Sequence, residues 1–175
     1  MRIPQAISSW EADALTLEAV LQANRQYART FPWTSLAAAP ARSIALLTCM
    51  DARIDPLAIA GLGLGDAHVL RNAGGRAADA LRSLALSCEL FDTRRILVVH
   101  HTRCGMQTIT DAAMRERLAA RGVDASGVVF LPFADLEASV RDDVALLQAS
   151  RLIPADVAID GLIYDVDTGL LQVVA

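Results

Sequence analysis

Short runs of branched apolar residues alternate along this chain with segments whose apolar positions recur at helical spacing. The runs are typical of strands that are buried on both faces, where polar and apolar residues need not alternate. Such strands are predicted at residues 44–47 and 96–99, and two further strands at residues 67–70 and 128–131. Helical periodicity predicts helices at residues 8–29, 55–60, 77–92 and 134–150. This short alternation of strands and helices favours a parallel sheet with right-handed crossovers.

The carboxyl-terminal part of the chain has a different pattern. Two apolar segments, at residues 159–166 and 170–174, flank the turn Asp167-Thr168-Gly169. They predict an antiparallel hairpin. The predicted fold class is therefore α/β: a mainly parallel central β-sheet flanked by helices, with a C-terminal antiparallel hairpin at one edge. Residues 106–126 have no clear periodicity and predict no element.

The length of the chain indicates how it is divided into domains. A chain of 175 residues is long enough for one well-buried domain and short for two. We therefore predict a single domain over residues 1–175, with an N-terminal helical arm at about residues 8–30. Ser8 followed by Glu11 fits a capping box at the start of that helix.

Potential metal ligands follow two of the predicted strands. Cys49 comes just after the run 44–47, and His101 and Cys104 follow the run 96–99. Side chains beyond the carboxyl ends of neighbouring parallel strands converge on one crevice. Thiolate and imidazole are donors that Zn²⁺ prefers, and three protein ligands leave one position for water or substrate. The spacing therefore predicts a catalytic zinc site held by Cys49, His101 and Cys104.

Asp51 and Arg53 add a second feature to this site. In an extended chain, residues 49, 51 and 53 project to the same side. Asp51 could then accept a hydrogen bond from a zinc-bound hydroxide while Arg53 holds its carboxylate in a bidentate pair. Two alternatives stay open, because Asp51 could bind zinc directly or could form a plain salt bridge that stabilises a turn. His100 faces away from His101 and is expected in the core or at a subunit contact.

Three segments carry a resemblance to a known family. CMDARID at 49–55, RNAGG at 71–75 and HHTRCGM at 100–106 are similar, in order and spacing, to the signature segments of β-class carbonic anhydrases. The resemblance implies zinc held by Cys49, His101 and Cys104, and a catalytic Asp51–Arg53 pair. It also implies reversible hydration of carbon dioxide to bicarbonate and a proton. In that family an N-terminal helix packs across the neighbouring subunit, which implies a homodimer or a dimer-based higher oligomer. The RNAGG segment is expected to line the pocket or brace the pair.

One position departs from the family pattern. Relatives with the same HHT-x-CGM form commonly have Asp before the cysteine, whereas this chain has Arg103. This reversal of charge beside a ligand could alter the local field, the proton path or a subunit contact. Two other functions therefore stay open. One is hydrolysis of carbon disulfide or carbonyl sulfide, and the other is a noncatalytic zinc-binding role in assembly or regulation.

Composition excludes several other classes of protein. The chain is 54% hydrophobic, but no apolar run approaches the roughly 20 residues that span a bilayer. Its sixteen basic residues are all Arg and lack interleaved aromatic residues, so we expect neither a membrane nor a nucleic-acid partner. The start of the chain lacks the pattern of a secretory signal, and three cysteines fit a reducing compartment. The predicted location is cytoplasmic, and Cys88 is expected to be a buried small hydrophobic residue.

Overall fold

The structure is a computed structural model that describes residues 16–175. These residues belong to two compact units, one ending at Leu36 and the other spanning Ala37–Ala175. The prediction of a single domain with an N-terminal arm stays a prediction. Among the described residues, none of the helices combines the length and apolar character that crossing a membrane requires.

The first unit contains helix α1, Leu17–Arg29. The Thr16 side chain caps this helix by accepting a hydrogen bond from the Ala19 N–H at 3.2 Å. The Thr16 backbone is extended, so α1 begins after it, and the prediction of a helix running through this position is wrong. The predicted capping box at Ser8 and Glu11 lies outside the described residues.

Five strands of the second unit form one sheet. They are β1 (Ile44–Cys49), β2 (Ala67–Asn72), β3 (Arg95–His101), β4 (Ala158–Tyr164) and β5 (Leu171–Val173). The strand order is β2-β1-β3-β4-β5. The first four strands in this order are parallel, whereas β4 and β5 pair antiparallel. This topology confirms the predicted fold class, including the hairpin at one edge.

Helices of the second unit flank this sheet. They are α2 (Pro56–Ile59), α3 (Ala77–Phe91), α4 (Asp111–Ala119) and α5 (Leu136–Ala149). Helices α3 and α5 contact the sheet and each other. Their apolar side chains and those of the inner strands form one buried cluster. Its members include Ala45, Leu47, Ala80, Leu84, Ile96, Val98, Val144 and Leu147. The core therefore lies against β1 and β3, whose apolar runs predicted buried strands.

Two parts of the second unit differ from what the sequence indicated. Residues 128–131 form no strand and pair with none of the strands in the described chain. Both edges of β3 are already occupied, by β1 and β4, and Leu131 has a positive φ of 57°, which a strand does not allow. In the segment 106–126, which predicted no element, the chain forms α4 and part of a 3₁₀ turn at Gly105–Gln107.

Gly161 lets α5 lie close to β4, and this contact can be tested. A Cβ atom at this position would come within 2.6 Å of Val140 Cγ1 and 2.9 Å of Val144 Cγ2. We expect Gly161→Ala to lower the free energy of unfolding by about 1–3 kcal/mol, the usual cost of overpacking. Urea-induced unfolding measures this free energy in both proteins. The matched control is Gly127→Ala, where no described atom outside the adjacent chain lies within 4 Å. Equal stability of the two variants would contradict close helix–sheet packing.

Candidate metal centre

The carboxyl ends of β1 and β3 bring two distant segments together. Cys49 is the last residue of β1, His101 is the last residue of β3, and Cys104 follows three residues later. One ligand atom from each residue lies within 4.8 Å of the others. The two Sγ atoms are 4.0 Å apart, and all three side chains are buried. The three residues that the sequence proposed as ligands thus form one cluster that is able to bind a metal ion.

The imidazole of His101 shows that this cluster suits a metal. Its Nδ1 lies 2.9 Å from the Thr102 carbonyl oxygen, which can only accept, so Nδ1 carries the proton and Nε2 has a free lone pair. Nε2 is buried and has no hydrogen-bond partner among residues 16–175. A buried polar atom without a partner is costly. Two sulfurs and one such nitrogen are a donor set typical of Zn²⁺.

The two thiols have opposite pKa shifts. A hydrogen bond from Cys104 lowers the pKa of Cys49 to about 4; burial opposes this shift, whereas the Gly74 N–H supports it. The same bond to Cys49, together with burial, raises the pKa of Cys104. Without metal, the pair therefore holds one proton between two sulfurs. A dication in place of that proton would stabilise both thiolates.

The Asp51 and Arg53 side chains form a bidentate pair. Arg53 Nε donates to Asp51 Oδ1 at 2.8 Å, and Arg53 Nη2 donates to Oδ2 at 2.6 Å. This bond, more than any other cause, holds the pKa of Asp51 well below its usual range. Asp51 Oδ2 also lies 3.8 Å from His101 Nε2, beyond hydrogen-bond distance. The ionised carboxylate therefore borders the cluster while its partner fixes its orientation.

The RNAGG segment supports the site through backbone contacts. Arg71 Nε donates to the Cys49 carbonyl at 3.0 Å, and Arg71 Nη2 donates to the Asp51 carbonyl at 2.6 Å. The Gly74 N–H donates to Cys49 Sγ at 3.3 Å from a backbone with a φ of +82°. The sequence predicted that this segment lines or braces the site, but it did not predict these three hydrogen bonds. The two adjacent glycines were a sequence signal for the bond to sulfur, because they allow the positive φ from which Gly74 donates.

His100 and Cys88 have structural surroundings, as the sequence indicated. His100 is fully buried; its Nδ1 lies 2.8 Å from Ser139 Oγ and its Nε2 lies 3.1 Å from Asp143 Oδ2. Cys88 belongs to the main core cluster.

Apolar side chains also pack around the candidate metal ligands. They are Ile54, Ile59, Met106, Phe133 and Tyr164.

Comparisons with known proteins agree with this geometry. Residues 44–127 match the family model described as carbonic anhydrase. Over 138 residues, the chain is 36% identical to Beta-carbonic anhydrase 1 of Mycobacterium bovis, an alignment that covers 76% of this chain and 82% of the relative. The chain belongs to the β-class carbonic anhydrase family. The members of this family are zinc enzymes, and the buried cysteine–histidine cluster of this member fits that metal.

Two further similarities extend this result. The structure of this family member is similar to a crystal structure of carbonic anhydrase from Streptococcus mutans, with a TM-score of 0.84 and 44% identity. That match covers 97% of this chain and 99% of the other. The chain is also 33% identical over 153 residues to a carbon disulfide hydrolase of Acidithiobacillus thiooxidans, covering 75% of this chain and 76% of the relative.

The shared proton of the two cysteines leads to a pH prediction. In chelator-treated, zinc-free protein, we expect thiolate ultraviolet absorbance to rise in one step with a midpoint near pH 4, the pKa of Cys49. Cys104→Ala removes the donor and should move this step toward the ordinary thiol value of about 8.5. The control is Cys88→Ala, because burial raises the pKa of Cys88 and keeps it out of the acid range. No thiolate below neutral pH in the parent protein would contradict the shared proton.

Proposed function

We propose that this protein catalyses the zinc-dependent, reversible hydration of carbon dioxide to bicarbonate and a proton. One observation carries this proposal. His101 Nε2, which has no hydrogen-bond partner in the described part of the chain, and the two adjacent thiols lie beside a carboxylate that Arg53 holds in a fixed orientation. Membership of the β-class carbonic anhydrase family supports the same reaction.

Cys49, His101 and Cys104 are the proposed zinc ligands. They would hold the ion through two sulfurs and one nitrogen, the donor types that zinc prefers. When bound, zinc would supply Lewis acidity that lowers the pKa of water toward neutrality and so makes a nucleophile available near neutral pH. The Thr102 carbonyl supports His101 in this role, because it fixes the ring tautomer that directs a lone pair at the metal.

Asp51 and Arg53 are the proposed catalytic pair. Asp51 is ionised and can only accept hydrogen bonds, so it would orient the attacking oxygen by accepting its proton in a hydrogen bond. Arg53 engages both oxygens of Asp51, which disfavours direct binding of that carboxylate to zinc. The apolar side chains of Ile54, Met106 and Phe133 suit a small linear substrate that offers little to hydrogen-bond.

Hydrolysis of carbon disulfide is the second candidate, because relatives at 33% identity carry that name. Carbonyl sulfide would react in the same way at the same position. Beta-carbonic anhydrase 1 of Mycobacterium bovis and the carbonic anhydrase of Streptococcus mutans match at 36% and 44% identity, so carbon dioxide is the favoured substrate. A noncatalytic zinc-binding role has less support, since such a role does not need the Asp51–Arg53 pair. Assays with both substrates decide among these functions.

We also propose a homodimer or a dimer-based higher oligomer in the cytoplasm. Exposed apolar side chains near the β2 edge of the sheet, including Val69 and Leu86, support association. The free thiols of Cys49, Cys88 and Cys104 suit a reducing compartment. Light scattering should give at least twice the chain mass of 18.7 kDa. A monomeric mass would contradict the oligomer, and recovery of the native protein outside the cytoplasm would contradict the location.

In the proposed mechanism, zinc binding and turnover depend on different residues. We expect Asp51→Asn to keep one zinc per chain but to lower the rate of carbon dioxide hydration by about 100-fold, because the orienting acceptor becomes a neutral amide. Cys49→Ser should lose both the zinc and the activity. Stopped-flow hydration by protein of measured zinc content tests both variants.

Cys88→Ser is the matched control for Cys49→Ser, because it removes a buried thiol of the core cluster and leaves the proposed ligands intact. This variant should keep its zinc and its rate per zinc. Full activity in Asp51→Asn would remove Asp51 from the mechanism. Zinc-loaded parent protein with no hydration activity would contradict the proposed function itself.

A further inference from the structure

Arg103 lies between the two proposed ligands His101 and Cys104 and has an unusual backbone. Its φ is +55°, in the left-handed region that residues with a Cβ rarely adopt. Such a conformation persists only where the surrounding contacts hold it. The backbone carbonyl and the side chain of Arg103 both make such contacts.

The carbonyl of Arg103 contacts the catalytic pair. Arg53 Nη2 donates to the Arg103 oxygen at 3.2 Å and to Asp51 Oδ2 at 2.6 Å, so one nitrogen joins the two groups. The Arg53 side chain is 43% exposed, and surrounding packing alone constrains it weakly. Because the Arg103 carbonyl is a second acceptor, it restricts how the guanidinium can rotate about Asp51.

The side chain of Arg103 reaches the β4–β5 hairpin, where its guanidinium forms an ion pair with Asp167. Two neighbouring bonds reinforce this connection. The Thr102 N–H donates to the Tyr164 carbonyl at 3.0 Å, and the Val166 N–H donates to Thr102 Oγ1 at 3.1 Å. The hairpin therefore holds the segment 102–103 at both residues.

Asp167 is well placed for this contact. Its N–H donates to Asp165 Oδ1 at 2.8 Å, which orders the hairpin turn. The Asp51 hydrogen bond raises the pKa of Arg53, and the nearby Asp167 carboxylate adds to that shift. Asp167 thus offsets the repulsion between Arg53 and Arg103 while it binds the latter directly.

We propose that Arg103 and Asp167 are positioning residues for the Asp51–Arg53 pair. Their ion pair holds the left-handed turn at residue 103 so that its carbonyl restrains Arg53, which in turn orients Asp51. This inference rests on the proposed function, in which Asp51 orients the attacking oxygen. It gives the Arg that departs from the family pattern a specific role at the active site.

The ion pair is exposed, by 48% at Arg103 and 62% at Asp167, and such pairs add little to global stability. Loss of this ion pair should therefore affect the position of Arg53 and leave the stability of the whole protein unchanged. We expect Asp167→Asn and Arg103→Gln to keep the zinc content and the melting temperature of the parent. Both should speed solvent exchange of the Arg53 Nε–H about threefold, the scale of an exposed ion pair.

NMR of arginine Nε–H groups in the zinc-loaded protein measures this exchange, and loss of the signal in Arg53→Lys assigns it. The turnover number should fall in the same two variants while KM changes little. The charge-exchanged variant Arg103→Asp/Asp167→Arg restores the pair and should recover both the slow exchange and the turnover number. The matched control is Asp156→Asn, which alters an equally exposed pair with Arg94 and should leave exchange and turnover at the parent values.

Unchanged Arg53 exchange in both single variants would overturn the inference, whatever the hydration rate. The same is true if the charge-exchanged variant exchanges as fast as the single variants. Absence of hydration by the zinc-loaded parent would instead overturn the proposed function. Arg53 exchange can still be measured in that case, because it does not depend on activity. The two failures are therefore distinguishable.

Discussion

The parallel pairing of β1 with β3 is the constraint on which the candidate site depends. Its register places Thr48 opposite Val99, and Thr48 Oγ1 donates to the Val99 carbonyl at 2.8 Å in the core. Cys49 and His101 are the last residues of these two neighbouring strands, and their ligand atoms lie within 4.8 Å of each other. Gly75 packs against the same strand end, where an added Cβ would lie 3.0 Å from the Thr48 carbonyl carbon. A slip of β1 by one residue would turn every side chain of this strand, including that of Cys49, to the opposite face of the sheet.

Charge balance is the second requirement of the site. Two thiols and one carboxylate lie close together in a largely buried region, where each negative charge is unfavourable unless positive charge is nearby. Arg53 neutralises Asp51, and in the absence of metal a proton shared between Cys49 and Cys104 neutralises part of the sulfur charge. Metal binding and proton release are therefore coupled, and the stability of this region depends on both.

The sequence predicted those parts of the fold and site that local patterns determine. The apolar runs of β1 and β3 and the ligand-type residues after them were readable because buried parallel strands have a simple pattern. Helix α4 was missed because its sequence, DAAMRERLA, has no apolar face, and Val128 and Val129 imitated a strand although both are exposed. The partner of Arg103 could not be predicted, because Asp167 is 64 residues away and only the hairpin brings it close.

The two backbone contacts of Arg71 have a mechanical consequence. Because one guanidinium binds the carbonyls of both Cys49 and Asp51, the proposed ligand and the proposed catalytic carboxylate move as one rigid piece. A shift of the backbone at one of them is therefore passed to the other through Arg71. A substitution that moves the end of β1 acts on metal binding and on the orientation of the carboxylate together, whereas a change confined to the Asp51 side chain acts on the carboxylate alone.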